Sequence, residues 1–226
     1  MPVKYYKVGG CVRDTILGLK SKDIDFCCEC SSFEKMREDI VARGGVIFLE
    51  KPEYLTIRAK LNGEAADFVV CRSDSSYHDG RRPDFTSIGS LALDLARRDF
   101  TMNAIAEDEN GELIDPFNGI DDIKAKIIRC VGDTGDRLTE DALRMLRAIR
   151  FSITKGFQIH EDIIHFIQCG YSLLLNISED RIRDEIEKCL RFDTLKTLKT
   201  LEFFDGVRDL IFTNTKIWLK PTSEDK

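Results

Sequence analysis

Two carboxylates one residue apart, Asp23 and Asp25, are the feature that most constrains how this chain can fold. They lie in residues 22–26, KDIDF, where polar and apolar residues alternate as in a strand with one buried face. Residues i and i+2 of a strand point to the same side, about 7 Å apart at Cα. The sequence therefore predicts two carboxylates presented together. Mg²⁺ binds such oxygen ligands while it keeps waters and phosphate oxygens in its other positions.

A glycine pair, Gly9-Gly10, precedes these acids, between a predicted strand over residues 5–8 and a predicted helix over residues 13–19. Backbone N–H groups in a Gly-rich turn before a helix can approach a phosphate closely. Arg13 can add a charge-assisted hydrogen bond to the same phosphate. The alternative is a turn beside a surface acid pair, because each of these short patterns is common by itself.

Length and charge set the outer limits. With 226 residues and 42% hydrophobic content, the chain can bury a core and has room for one or two domains. The formal net charge is −6, so no global basic field attracts a polyanion. An RNA partner would need a local basic groove instead.

The cysteines and the apolar runs indicate a compartment. The eight cysteines lack paired zinc-finger spacing, and the first ten residues lack the apolar segment of a signal peptide. We therefore expect reduced cysteines with structural roles. The longest apolar run is too short to span a membrane. The sequence predicts a cytoplasmic protein with no membrane partner.

Residues 23–71 read as a strand, a helix and three further strands, with a hairpin turn at Asn62-Gly63. This order suggests a small mixed sheet with helices on one side. Asp67 lies in the second arm of the hairpin. It is either a third carboxylate beside the first two or an edge-strand acid that faces solvent.

A polar stretch over residues 73–90 reads as a mobile loop and contains Asp79 and Arg81. A predicted helix over residues 91–100 then runs into RRDFTMNA. In this run Arg98 can pair with phosphate, while an acid and an amide can bond sugar hydroxyls. The alternative is an amphipathic helix end with solvated charges.

From about residue 132 the chain reads as helical, and the sequence predicts one helix over residues 136–151. Asp141 and Arg144 would then be neighbours at i and i+3. Together they offer an acceptor beside donors, which is what the pairing edges of cytosine and adenine both require. The alternative is that Glu140 and Asp141 follow a Thr139 cap, since the helix dipole favours acids at that end.

The glycine–arginine run at residues 9–14, the acid pair at 23–25, the run at 97–104 and EDALRMLR at 140–147 occur in this order. Together they resemble the signature of class II nucleotidyltransferases in the polymerase-beta-like superfamily. That branch contains tRNA CCA-adding enzymes and bacterial poly(A) polymerases. The resemblance runs from residue 8 to 151, and less specifically to 204. Members found in cells carry a longer helical body than this chain.

The resemblance implies an α+β fold, with a mixed-sheet catalytic head over residues 1–131 and a helical neck and body over residues 132–226. It implies addition of C and A from CTP and ATP to the tRNA 3′ end, with release of pyrophosphate. The rivals are a CC-adding, A-adding or poly(A)-adding relative, or a non-catalytic nucleotide- or RNA-binding module. A complete carboxylate set argues against the module.

The resemblance also implies roles for individual residues. Asp23, Asp25 and Asp67 would be catalytic, with Asp23 and Asp25 binding two Mg²⁺ ions, while Asp79 and Arg81 would belong to a flexible loop that helps the pocket switch from C to A. The residues implied to contact the nucleotide are Gly9, Gly10, Arg13, Arg98, Asp99, Asn103, Asp141, Arg144, Arg147 and Arg150.

Overall fold

The structure is a computed structural model, and it describes residues 2–21, 23–74 and 86–214. The chain divides into two compact units between Asp133 and Thr134. The domain boundary expected from the sequence, between residues 131 and 132, lies two residues before this division.

The first unit is built on strands. Among its described residues these are β1 (Lys4–Val8), β2 (Asp25–Glu29), β3 (Val46–Lys51), β4 (Thr56–Leu61), β5 (Glu64–Val70), β6 (Arg72–Asp74), β7 (Thr86–Ile88), β8 (Ala106–Glu107), β9 (Leu113–Ile114) and β10 (Ile127–Ile128). A mixed sheet has the order β3-β4-β5-β2-β1-β8-β9, and β6 pairs with β7. Because β2 and β5 are parallel while the other recorded pairs are antiparallel, the predicted mixed sheet and α+β class are confirmed.

The strand that carries the acid pair begins later than the sequence predicts. β2 starts at Asp25, so Asp23 precedes the strand and is exposed to solvent. The prediction that both acids project from one strand is therefore wrong. Asp25 instead lies opposite Asp67 in the parallel pairing of β2 with β5, and Phe26 lies opposite Phe68.

The turn between β4 and β5 follows the prediction. Asn62 and Gly63 have φ values of 53° and 89°, both in the left-handed region. A two-residue turn of this kind matches the twist of the strands that it joins. The antiparallel register runs from Thr56 opposite Val69 to Leu61 opposite Glu64, so this turn fixes where Asp67 lies.

The helices of the first unit are α1 (Gly10–Ile16), α2 (Phe33–Ala42), α3 (Leu91–Ala96) and α4 (Gly119–Ala125). The Ser32 hydroxyl caps α2 by accepting a hydrogen bond from the Lys35 amide at 3.1 Å. α3 ends at Ala96, so the helix predicted to reach residue 100 is shorter.

Helices cover both faces of the sheet. The adjacent residues Cys27 and Cys28 point to opposite faces of β2. Cys28 packs in the core that includes Met36 of α2, whereas Cys27 packs with Leu95 of α3. The prediction of helices on one side is therefore wrong, because the chain returns after β7 to lay α3 on the second face.

The second unit is mainly helical. Its described elements are α5 (Thr134–Glu140), α6 (Leu143–Thr154), β11 (Gln158–Ile159), α7 (Glu161–Gly170), α8 (Glu179–Phe192), α9 (Thr194–Phe203) and α10 (Asp205–Asn214). Leu146, Ile149, Ile163 and Ile186 are fully buried and belong to its core.

The single helix predicted over residues 136–151 is wrong, because α5 and α6 are separated at Asp141 and Ala142. The Asp141 carboxylate accepts a hydrogen bond from the Leu143 amide at 3.1 Å. Such a local bond offers the backbone an alternative to helix continuation. Asp141 thus lies just before α6 instead of within a longer helix.

Two further expectations concern cysteines and membranes. The side chains of Cys27 and Cys71 meet, with their Cα atoms 5.3 Å apart. The hydrogen bond from the Cys71 amide to the Cys28 carbonyl brings the end of β5 against β2. The expectation of reduced cysteines stays a prediction. In the part of the chain that the structure describes, no helix is long and apolar enough to cross a membrane.

The stacked rings of Phe26 and Phe68 give a stability prediction. Phe68 is fully buried, and its ring stacks on Phe26 with centroids 5.0 Å apart. Phe68→Ala should lower the free energy of unfolding by about 3–5 kcal/mol in urea denaturation, through lost burial and a cavity. Phe48→Ala, at a side chain that is 57% exposed, is the control and should change it by about 0.5 kcal/mol or less. Equal losses would contradict this packing.

Candidate active site

A cleft of about 350 Å³ opens beside the parallel pair of strands in the first unit. Asp25 at the start of β2 lines it, together with Arg72 at the start of β6 and Asp94 on α3. Arg97 and Arg98, which follow the end of α3, complete its charged lining. The cleft thus combines carboxylates with three guanidinium groups, and a phosphorylated ligand in the presence of a cation would match both signs of charge.

Three carboxylates act on one another electrostatically at the mouth of β2. Burial raises the pKa of Asp25, and the charges of Asp67 and Asp23 raise it further, while Arg98 and Arg58 oppose the shift. The Asp67 carboxylate also lies 3.7 Å from the Arg58 guanidinium. The alternative of an edge-strand acid does not fit Asp67, because β5 lies between β4 and β2 inside the sheet.

The acid pair fits a divalent cation by its chemistry. The negative charges of neighbouring acids disfavour the ionised form of a carboxylate and raise its pKa, and a bound cation would relieve this repulsion. Within the described residues, no group of three or more acidic, histidine or cysteine side chains is gathered closely enough to hold a metal. Mg²⁺, however, commonly takes one or two carboxylates and completes its shell with water and phosphate oxygens. Asp23 and Asp25 could supply such a partial set.

The glycine turn has a definite steric reason. Gly9 has a φ of 74°, and a Cβ atom at this position would lie 2.9 Å from Nη1 of Arg98. The conformation therefore favours glycine at position 9, and a side chain there would displace the end of the Arg98 side chain. Gly10 is the first residue of α1. The turn thus lets the Arg98 guanidinium approach the backbone at the end of β1.

Behind this turn, three polar side chains that the sequence assigns to the nucleotide bond to one another. Arg13 donates to the Asn103 side-chain oxygen at 2.7 Å and to the Asp14 carboxylate at 2.9 Å. The Asn103 side-chain amide in turn donates to Asp99 at 3.0 Å. Arg13, Asp99 and Asn103 are all buried. The structure therefore brings these residues together as an internal network.

Asp94 is a residue that the sequence interpretation missed. Its side chain is 1% exposed and pairs with both Arg97 and Arg98, the latter at 2.9 Å. Burial raises the pKa of Asp94, but the two guanidinium groups outweigh it and hold the pKa below its ordinary value. The signal was present in the sequence, because an acid three and four residues before two arginines forms ion pairs on a helix.

In the second unit, the two residues expected to read the base have other partners. Asp141 accepts from Arg181 of α8 at 3.1 Å, in addition to accepting from the Leu143 amide at the start of α6. Arg144 donates to Glu140 at 2.8 Å and to the Arg137 carbonyl at 2.7 Å. The alternative of an acid at a helix N-terminus fits Asp141. Thr139 lies inside α5, so the proposed cap at that residue is wrong.

The remaining arginines of α6 contact protein groups. Arg150 pairs with the buried Glu185 of α8 at 2.6 Å, and its guanidinium lies 4.1 Å from the ring centre of Phe151. Arg147 lies 5.6 Å from the same ring centre. Arg150 thus links α6 to α8. Asp79 and Arg81, expected in a flexible loop, lie outside the described residues.

Comparison with known proteins identifies the family. Residues 5–129 match the family described as the poly A polymerase head domain. The match covers more than half of the chain, which therefore belongs to this family. The resemblance predicted from the sequence is confirmed.

One curated relative and two solved structures extend the comparison. The CCA-adding enzyme of Limosilactobacillus fermentum is 40% identical over 192 residues, which are 82% of this chain and 45% of the relative. The Bacillus stearothermophilus CCA-adding enzyme in complex with CTP matches with a TM-score of 0.76 and 33% identity, over 98% of this chain and 51% of that one. The Thermotoga maritima CCA-adding enzyme complexed with tRNA-CCA matches with a TM-score of 0.74 and 29% identity, over 97% and 50%. The chain thus spans about half the length of these relatives.

The raised pKa of Asp25 predicts a change of stability with pH. Asp25→Asn should raise the free energy of unfolding of the metal-free protein at about pH 7, because it removes a carboxylate that the fold disfavours in its ionised form. The gain should disappear as the pH falls, because wild-type Asp25 takes up a proton first in the folded state. Below the pKa of the unfolded chain the residue is protonated in both states.

Urea unfolding in EDTA at about pH 7 and about pH 3 measures this effect, where the lower value lies below an ordinary Asp pKa. Asp121→Asn serves as the control, because the Asp121 carboxylate is 78% exposed on α4 and pairs only loosely with Lys124. A loss of stability in Asp25→Asn at neutral pH would contradict the repulsion inferred at this site.

Proposed function

We propose that this chain is a template-independent RNA nucleotidyltransferase that adds C and A to the 3′ end of tRNA. CTP and ATP would be the nucleotide donors and pyrophosphate the second product. The observation that carries the proposal is the cleft in which Asp25, opposed by Asp67, faces Arg98. The likeness to CCA-adding enzymes supports the choice of substrate, since their solved structures include complexes with CTP and with tRNA-CCA.

In this reaction the 3′-hydroxyl oxygen of the primer attacks the α-phosphorus of the nucleotide. One P–O bond forms, the bond to the bridging oxygen of the β-phosphate breaks, and pyrophosphate carries away the electron pair. The hydroxyl proton must leave as the new bond forms. Asp67 is suited to accept a hydrogen bond from this hydroxyl, because its carboxylate lies opposite Asp25 in the sheet.

Asp23 and Asp25 would hold Mg²⁺, and two ions are proposed. When bound, such ions stabilise negative charge on the attacking and leaving oxygens. Arg98 reaches the cleft and can bind the triphosphate through charge-assisted hydrogen bonds. The buried network of Arg13, Asp99 and Asn103 sets the position of the glycine turn and of any group there that faces the nucleotide.

The remaining assignments also belong to this proposal. Gly9 and Gly10 would let the backbone approach phosphate, and Asp141 with Arg144 would read the base. Arg147 and Arg150 would support that helix. Asp141 pairs with Arg181, and Arg144 pairs with Glu140. To contact a nucleotide, each of the two residues would have to share its hydrogen-bonding atoms between this partner and the base.

A poly(A) polymerase is the second candidate, favoured by the description of the family that the chain matches. A CC-adding or A-adding relative uses the same chemistry with a restricted product. A non-catalytic nucleotide-binding module would have no use for Asp67 and Asp23 placed where their charges raise the pKa of Asp25. Product length and base composition separate these alternatives.

The test incubates the 226-residue chain with tRNA lacking its terminal CCA, Mg²⁺ and each nucleotide separately and in combination. Ordered addition of two C residues and one A is the expected result. A run of A residues from ATP alone would indicate the poly(A) alternative. Asp25→Asn is the matched inactive control and Asp121→Asn the active one. No incorporation by wild-type protein that is folded by circular dichroism would refute the proposal.

Base choice gives a separate prediction. Asp141 would accept from the exocyclic amine of cytosine or adenine, where UTP presents a carbonyl. Leaving a charged acceptor without a donor costs about 1.5–3 kcal/mol, or roughly tenfold to a hundredfold in rate. Asp141→Ala should therefore lower the ratio of kcat/KM for CTP to that for UTP, as well as the activity.

The control for base choice is Asp180→Ala, at a carboxylate of α8 that is 91% exposed. It should leave both kcat/KM values unchanged. If Asp141→Ala keeps its activity and its CTP-to-UTP ratio, the role of Asp141 is only structural, and base choice lies elsewhere.

A further inference from the structure

We propose that Asp94 is a positioning residue, which holds the guanidinium groups of Arg97 and Arg98 in the cleft so that they can bind nucleotide phosphates. This inference rests on the proposed function for the identity of the anion. Neither the sequence interpretation nor the comparison with relatives assigns a role to Asp94. The claim is that phosphate binding depends on a carboxylate that does not itself touch the phosphate.

Burial shows why Asp94 acts through other residues. The carboxylate is 1% exposed, and both of its oxygens accept hydrogen bonds from arginine side chains. One oxygen accepts from Arg97 Nε at 3.0 Å and the other from Arg98 Nη2 at 2.9 Å. A carboxylate used in this way repels an approaching phosphate less than a free one, while it fixes two cations at the edge of the cleft.

The local backbone makes this arrangement specific. α3 ends at Ala96, so the two arginines leave the helix immediately after its last turn, three and four residues beyond Asp94. Arg98 is then held from a second side, because its Nη1 atom donates to the Asn103 carbonyl at 3.3 Å and packs against Gly9. Asp94 and the glycine turn therefore fix the guanidinium group from two directions.

The Nε donor of Arg98 indicates that the cleft binds an anionic ligand. Within the part of the chain that the structure describes, Arg98 Nε is buried and has no hydrogen-bond partner. Leaving such a charged donor unsatisfied is unfavourable, and an anion in the cleft is a suitable acceptor. Arg98 also acts electrostatically on Asp25 in the same cleft. Without the charge of Asp94, we expect Arg98 to move toward Asp25 and away from the phosphate position.

The experiment measures the affinities of CTP and of inorganic pyrophosphate by calorimetry, with Mg²⁺ and without RNA. Asp94→Asn keeps the size of the side chain and removes its charge. It should weaken both affinities about 10- to 100-fold, the range expected for losing hydrogen bonds to a charged group. In a background of Arg97→Ala and Arg98→Ala, adding Asp94→Asn should change them less than twofold, because the residue acts through these arginines.

Asp39→Asn is the matched control, since Asp39 on α2 accepts hydrogen bonds from Tyr5 and Arg43 on the other face of the sheet. It should leave both affinities unchanged. If Asp94→Asn does not fold, Asp94→Glu replaces it, with the charge kept but displaced. Asp94→Glu should raise KM for CTP with a smaller effect on kcat.

The inference is overturned if folded Asp94→Asn, or its replacement, binds CTP and pyrophosphate like the wild type. An equal effect of Asp94→Asn with and without the two arginines would also overturn it, since the role would then be structural. Wild-type protein that binds CTP but extends no RNA would instead refute the proposed function. The binding measurements would then still decide whether Asp94 positions the two arginines. Wild-type protein that binds neither CTP nor pyrophosphate overturns both.

Discussion

The parallel pairing of β2 with β5 is the constraint on which the candidate site depends. It places Asp25 opposite Asp67, so that two like charges face each other at the mouth of the cleft. The next pair in the same register, Phe26 and Phe68, stacks on the other face of the sheet. Apolar packing on one face thus holds two carboxylates together on the other, where they repel each other. Burial and this repulsion together raise the pKa of Asp25.

On the arginine side of the cleft, positive charges instead of negative ones lie close together. Two guanidinium groups would repel each other as well, but Asp94 lies between them and is buried at the end of α3. Its pKa is held below the ordinary value while that of Asp25 is raised above it. Two acids in one cleft are therefore driven in opposite directions by their surroundings, which is typical of functional sites. One acid stays paired inside the protein, and the other is open to a cation.

Local signals in the sequence predicted the elements that depend on local chemistry. Gly63 after Asn62 indicated the hairpin, and the alternation near Asp25 indicated a strand. The order of motifs also predicted the family. These features could be read because turns and one-sided strands depend on neighbours a few residues away.

Features that depend on distant contacts could not be read in this way. Strand pairing places Asp25 at the first residue of β2 and leaves Asp23 outside, and periodicity alone cannot locate that boundary. The helix predicted over residues 136–151 is interrupted at Asp141, whose carboxylate accepts a hydrogen bond from the Leu143 amide. Asn103 and Arg13 are 90 residues apart, so the hydrogen bond between them is visible only in three dimensions.

The most direct test of the account is to locate the nucleotide in crystals of the chain grown with CTP and Mn²⁺ as a substitute for Mg²⁺. The account predicts anomalous scattering from Mn²⁺ beside the Asp25 carboxylate and the triphosphate against Arg98. Nucleotide density on the other face of the sheet, in the cavity beside Tyr5 and Phe68, with no manganese at Asp25, would contradict it.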